Sequence, residues 1–205
     1  MISNDSLNEL RDKIKGRLSP KRFQHTLGVE SFAALIGEYC LPDRIFELRA
    51  AALLHDVAKE IPIEEQIELL SENGIKITAD ELNSPQIIHS LTAPYVVINE
   101  FPKFAIKVIL SAVEKHTLGD VEMSIFDEII FLSDYVEVGR TYDSCVSVRK
   151  FLLDNFRDSQ ISSNIQILHK ACLMVIDNTI HMLNKKNQTI HPRMLKAKDT
   201  ISSFK

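Results

Sequence analysis

His55 and Asp56 adjoin each other inside the run Ala-Ala-Leu-Leu-His-Asp-Val-Ala-Lys (51–59), an imidazole and a carboxylate in apolar surroundings. Charged side chains enter a protein interior only when they are paired or bound to something. A metal ion would meet that need. A core histidine satisfied by a backbone carbonyl, with Asp56 at an exposed edge, would meet it too. The rest of the chain favours the metal. Of seven histidines, four form a series, His25, His55, His89 and His116, and Asp134 lies beyond them. Each histidine stands beside apolar helical sequence, and Asp134 follows Ile129-Ile130-Phe131-Leu132, where a lone carboxylate would be costly. Imidazole and carboxylate ligands without cysteine suit iron, manganese, nickel or zinc.

Other polar groups cluster around this series. Lys59 follows His55 at i+4, which on a continuing helix puts both on one face, and its ammonium can neutralise phosphate charge. Arg22 stands one turn before His25, and Arg140 six residues after Asp134 offers a phosphate fork or a stacking plane. Thr117 and Gly119 follow His116 where the helix must stop, and a glycine there lets backbone N–H groups approach an anion. Tyr135 and Glu137 could stand behind the ligands or face solvent. His169 and His181 read as structural members of a long helix, and His191 lies in a basic tail.

The order His25, His55-Asp56, His89, His116, Asp134 resembles the HD superfamily of metal-dependent phosphohydrolases. The wording of four segments, 51–59, Ile-Ile-His-Ser (87–90), His-Thr-Leu-Gly (116–119) and Ile-Ile-Phe-Leu-Ser-Asp-Tyr-Val-Glu-Val-Gly-Arg (129–140), is similar to the bacterial YqeK-type branch, the symmetrical bis(5'-nucleosyl)-tetraphosphatases. Val138-Gly139 stands where that branch usually has a Pro-containing turn. The resemblance covers roughly residues 20 to 185. It implies hydrolysis of diadenosine tetraphosphate into two ADP by metal-activated water attacking phosphorus. It also implies one ion on His25, His55, Asp56 and Asp134 and a second on His89 and His116, with Asp56 shared. Asp56 and Lys59 are then the expected catalytic groups, and Arg22, Lys59, Thr117, Gly119 and Arg140 the expected substrate contacts. Two ions are expected, iron first, with manganese, nickel, cobalt or zinc as alternatives. A nucleotidase or phosphodiesterase of the same superfamily, or a nucleotide-binding regulator, are the other readings.

Composition agrees with such an enzyme. A chain of 205 residues, 45% hydrophobic and 25% charged, suits one soluble domain. A net charge of −4 argues against a nucleic-acid partner, so an anionic nucleotide must be met by metal and local cations. Cys40, Cys145 and Cys172, odd in number and widely spaced, read as free thiols of a cytoplasmic protein. No apolar run approaches the ~20 residues of a membrane span, and a homo-oligomer is open.

The elements that must carry these residues are helices nearly throughout. Ser6-x-x-Glu9 predicts a capping box before a first helix, and Ser19-Pro20 the start of a second. Pro42 is expected to open a third helix running through the His-Asp pair to Lys59. A fourth spans Pro62 to Asn73, stopped by Gly74. Two more cover 84–100 and 102–115. Ser124-x-x-Asp127 caps the helix that delivers Asp134, and a long helix spans about 161–186. The expected fold is all-α, a single-domain irregular bundle of the HD type. Residues 1–18 form an added N-terminal helix, 19–186 the phosphohydrolase domain and 187–205 a C-terminal tail.

Overall fold

Residues 2–203 are described in a computed structural model, and they are helical without any β-strand among the described residues. The helices are α1 (Asn4–Arg17), α2 (Pro20–Cys40), α3 (Ile45–Leu54), α4 (Ile63–Glu72), α5 (Ala79–Leu82), α6 (Ile88–Glu100), α7 (Lys107–Lys115), α8 (Ile125–Val136), α9 (Asp143–Asn155), α10 (Ile161–Lys185) and α11 (Pro192–Ser203). Single 3-10 turns at Pro42–Arg44, Pro85–Ile87 and Pro102–Phe104 lead into α3, α6 and α7, each opening on a proline whose missing N–H costs nothing there.

The all-α bundle is organised around α8. Its residues Ile129, Ile130, Leu132, Ser133 and Val136 have no exposed surface, and α2, α3, α7, α9 and α10 all pack against it. Fully burying each such aliphatic side chain stabilises the fold by roughly 1.5–3 kcal/mol. The Ser124 side chain accepts from Asp127 N–H while Asp127 accepts from Ser124, so α8 begins where the sequence predicts. The α2 cap at Ser19 and the left-handed Gly74 (φ 74°) after α4 also stand as expected.

Two starts and stops differ from expectation. The α1 capping box pairs Ser3 with Ser6 rather than Ser6 with Glu9, because the helix begins a turn earlier and buries Ser6. The His-Asp pair does not lie within a helix. α3 ends at Leu54, and residues 55–60 continue as tight turns, with Val57 N–H donating to Leu54 O and Lys59 N–H to Asp56 O. The His55 ring itself bonds back to Ala52 O at 2.6 Å, which favours ending the helix there. Lys59 therefore reaches the site from a turn, not from a helical face.

The outer helices are tied to the bundle by ion pairs as well as by packing. Glu30 on α2, nearly buried, accepts from Arg11 of α1 (2.8 Å) and Arg49 of α3 (3.0 Å). Within 187–203, α11 buries Met194, Ala197 and Ile201. Arg193 in its first turn donates to Gly119 O (3.1 Å) and pairs with Glu114 and Asp120 around the loop that follows α7. Cys40, Cys145 and Cys172 are free and buried. No helix among the described residues is long and apolar enough to cross a membrane.

Candidate metal centre

Five helices or helix ends deliver the six residues to one place. His25 comes from the second turn of α2, His55 and Asp56 from the end of α3, His89 from the start of α6, His116 from the end of α7, and Asp134 from α8. His55, Asp56, His89 and His116 are each no more than 3% exposed.

Asp56 stands between two groups of imidazoles. Its Oδ1 lies 3.2 Å from His89 Nε2 and 3.7 Å from His116 Nε2. Its Oδ2 lies 3.4 Å from His55 Nε2 and 3.8 Å from His25 Nε2. Asp134 Oδ1 approaches His25 Nε2 at 3.0 Å and His55 Nε2 at 3.9 Å. The ligand atoms of His25, His55 and Asp134 lie within 4.8 Å of one another, as do those of His55, Asp56 and His116.

The outer nitrogens settle which way the inner ones face. His55 Nδ1 meets Ala52 O (2.6 Å), His89 Nδ1 meets Gln86 O (2.9 Å) and His116 Nδ1 meets Val113 O (2.8 Å), while His25 Nδ1 meets Glu137 Oε1 (3.2 Å). Carbonyls and carboxylates only accept, so Nδ1 of each ring carries a hydrogen, and a ring with that one hydrogen turns an Nε2 lone pair inward. Such outer hydrogen bonds are the usual anchors of metal-ligating imidazoles. His25 Nε2 and His55 Nε2 are buried with no hydrogen-bond partner. His89 Nε2 and His116 Nε2 approach to 3.1 Å. An arrangement of imidazole nitrogens and carboxylate oxygens converging at such distances fits divalent cations.

Three cationic side chains adjoin these residues. Arg22 donates to Asp56 Oδ2 and Arg140 to Asp134 Oδ1, both at 2.8 Å. Lys59 Nζ lies 3.2 Å from His89 Nε2. Burial pushes the Lys59 ammonium below its ordinary range, and Arg22 and Arg140 add to this against the pull of Asp56 and Asp134. Burial opposes the Asp56 charge, yet His55, His116 and His89 outweigh it and hold the carboxyl well below the usual range. Burial above all, with the Lys59 ammonium adding to it, lowers His89 to about 4, so this ring is neutral at pH 7.

Of the expected substrate contacts, Arg22 and Arg140 line a cleft of about 770 Å³ that reaches His25 and is rimmed by Lys21, Gln24 and the exposed Tyr142. Thr117 Oγ1 lies 3.0 Å from His116 Nε2 and 3.4 Å from His89 Nε2. Gly119 follows the turn after α7. Its φ of 69° serves the turn, its N–H donates to Lys115 O, and its α carbon packs toward Ala197 and Met123. His169 pairs with buried Glu128 at 2.8 Å, far along α8 from the ligands.

Glu137 is buried against His25, which sequence reasoning left open, and Gly28 and Arg149 were missed outright. Gly28 had one available signal, a glycine inside a helix one turn after a candidate ligand, where it is costly unless something approaches closely. Arg149 of α9 donates to Val136 O and Glu137 O at 2.6 Å and to Arg140 O at 2.7 Å, bracing the turn after α8. Nothing in local pattern marks a side chain that binds backbone carbonyls of another element.

Comparison with known proteins agrees with this geometry. Residues 22–139 match the HD domain model. The chain is 33% identical over 196 residues to the symmetrical bis(5'-nucleosyl)-tetraphosphatase of Halalkalibacterium halodurans, covering 93% of this chain and 91% of that one. It is 29% identical over 180 residues to the protein of the same name from Bacillus subtilis, covering 87% and 88%. It superposes with a TM-score of 0.83, at 28% identity and 97% coverage of both chains, on a crystal structure from Clostridium acetobutylicum described as a predicted HD superfamily hydrolase involved in NAD metabolism. With the family model covering more than half of its length and its histidines and aspartates gathered at one centre, the chain belongs to the HD domain family.

Proposed function

We propose that this protein is a metal-dependent hydrolase that cuts dinucleoside tetraphosphates symmetrically, diadenosine tetraphosphate giving two ADP. The observation that carries the reading is the position of Asp56, one oxygen toward His89 and His116 and the other toward His25 and His55, beside a cleft lined by Arg22 and Arg140. The relatives' shared name supports the substrate.

His25, His55 and Asp134 would hold one ion and His89 and His116 a second, with Asp56 serving both. Iron is the metal we favour for this mixed imidazole and carboxylate set without cysteine, ahead of manganese, nickel, cobalt or zinc. When bound, such ions supply water acidified toward neutrality and positive charge against phosphoryl oxygens.

The chain's own residues do the rest. Arg22 and Arg140 bind phosphate oxygens at the cleft side of the centre, where their planar forks suit that geometry. Lys59, beside Asp56 and His89, meets charge that develops on the central phosphates. Thr117 donates its hydroxyl hydrogen to an oxygen on the His116 side. The chain's net charge of −4 makes these local cations the means by which a polyanion is held.

The test is removal and return of metal. Protein stripped with a chelator should lose hydrolysis of diadenosine tetraphosphate and regain it on addition of Fe2+ or Mn2+. Full activity in the stripped protein would contradict the proposal.

A further inference from the structure

Three of the four imidazoles are oriented by their own chain. His55, His89 and His116 lie at helix ends, and each bonds through Nδ1 to the carbonyl three residues earlier, Ala52, Gln86 and Val113. His25 sits inside α2, where the preceding carbonyls are engaged by the helix, so its ring needs an anchor from elsewhere. Glu137, just past α8 and only 3% exposed, supplies it. Its Oε1 accepts from His25 Nδ1 at 3.2 Å, and its Oε2 accepts from Gly139 N–H at 2.5 Å.

That carboxylate occupies space that side chains would need. A Cβ on Gly28 would run into Glu137 Oε2, with Cδ at 3.2 Å and Cβ at 3.4 Å. A Cβ on Gly139 would meet Oε1 at 2.9 Å and Oε2 at 3.0 Å. Gly28 is one turn after His25 on the same helix face.

We infer that Glu137 is the positioning residue of the His25 side of the centre, and that Gly28 and Gly139 are glycines because the Glu137 carboxylate fills the room beside them. The inference rests on the reading of His25 as a metal ligand. An ionised partner on Nδ1–H fixes the ring and raises the basicity of Nε2, and loss of such partners weakens metal binding by about 10–100-fold. Glutamine in its place has one accepting oxygen for two donors, so either His25 Nδ1–H or Gly139 N–H is left unpaired. Alanine at Gly28 displaces the carboxylate without touching any ligand.

The experiment titrates Co2+ into metal-free parent, Glu137→Gln, Gly28→Ala and the double variant, and records the melting temperature of each metal-free protein. The expected result is Co2+ affinity lowered about tenfold or more in each single variant, with the double variant no worse than the weaker single. If Gly28→Ala fails to fold, the isosteric Glu137→Gln decides by itself. Variants that melt lower yet bind Co2+ like the parent would give Glu137 a purely structural role and overturn the inference alone. A parent that binds no Co2+ would overturn it together with the metal-dependent reading.

Discussion

Arg140 Nη2 lies 2.8 Å from Asp134 Oδ1, so a cation that lines the cleft also holds a candidate metal-ligating carboxylate. Lys59 makes a different contact, to His89 from the turn after α3. The two cations should therefore separate kinetically. Arg140→Ala is expected to raise KM about tenfold, corresponding to a lost ground-state contact, with a smaller effect on kcat. Lys59→Ala is expected to lower kcat about a hundredfold with KM little changed, as when a donor to developing charge is removed. Steady-state kinetics on diadenosine tetraphosphate read both. A Lys59→Ala enzyme indistinguishable from the parent would return Lys59 to an ordinary solvated lysine.

Sharing of Asp56 between both groups of imidazoles makes metal content a sensitive readout. Asp56→Ala should lose both ions, whereas His89→Ala should keep the one on the His25 side. Elemental analysis of purified variants, taken as metal per chain, checks this. Full metal content in Asp56→Ala would exclude a shared role for that carboxylate.

The thiols give a pH-dependent stability prediction. Burial pushes Cys40 up to about 12 and raises Cys172 well above its ordinary value, with Glu128 adding to both. Unfolded thiols ionise near ~8.5. The folded state thus holds these protons more tightly, so the stability they contribute is complete below about pH 8.5 and falls as pH rises toward the folded values. Iodoacetamide at pH 8.5 should label Cys40 and Cys172 rapidly in urea and hardly at all in the native protein. Rapid native labelling would show that the core around α10 opens.

The residues that gather at this centre were legible because each interrupts an apolar helical run, a conflict visible without coordinates. Ser19-Pro20, Ser124 with Asp127, and Gly74 were equally readable, since a cap is a local contact between near neighbours. The end of α3 was not. Its apolar pattern runs on through Val57-Ala58, and the stop coincides with the His55 ring bonding to Ala52 O and with Asp56 facing four imidazoles from three other elements as well as its own. The Ser3 cap was hidden by an equally good serine one turn on. The pairing of Glu137 with His25 spans 112 residues, and the bracing by Arg149 joins a side chain to carbonyls of the turn after α8. Gly119 serves a turn, and a glycine near these residues looks the same in sequence whether it serves a turn or an anion.

The central claim is symmetrical cleavage at this centre, and product identity tests it most directly. Metal-loaded enzyme should be given diadenosine tetraphosphate in 18O-labelled water and the products separated by chromatography and weighed by mass spectrometry. The account predicts ADP as the sole nucleotide product, half of it carrying one 18O on its terminal phosphate. ATP with AMP would contradict it, because the water would then have attacked an outer bond of the tetraphosphate.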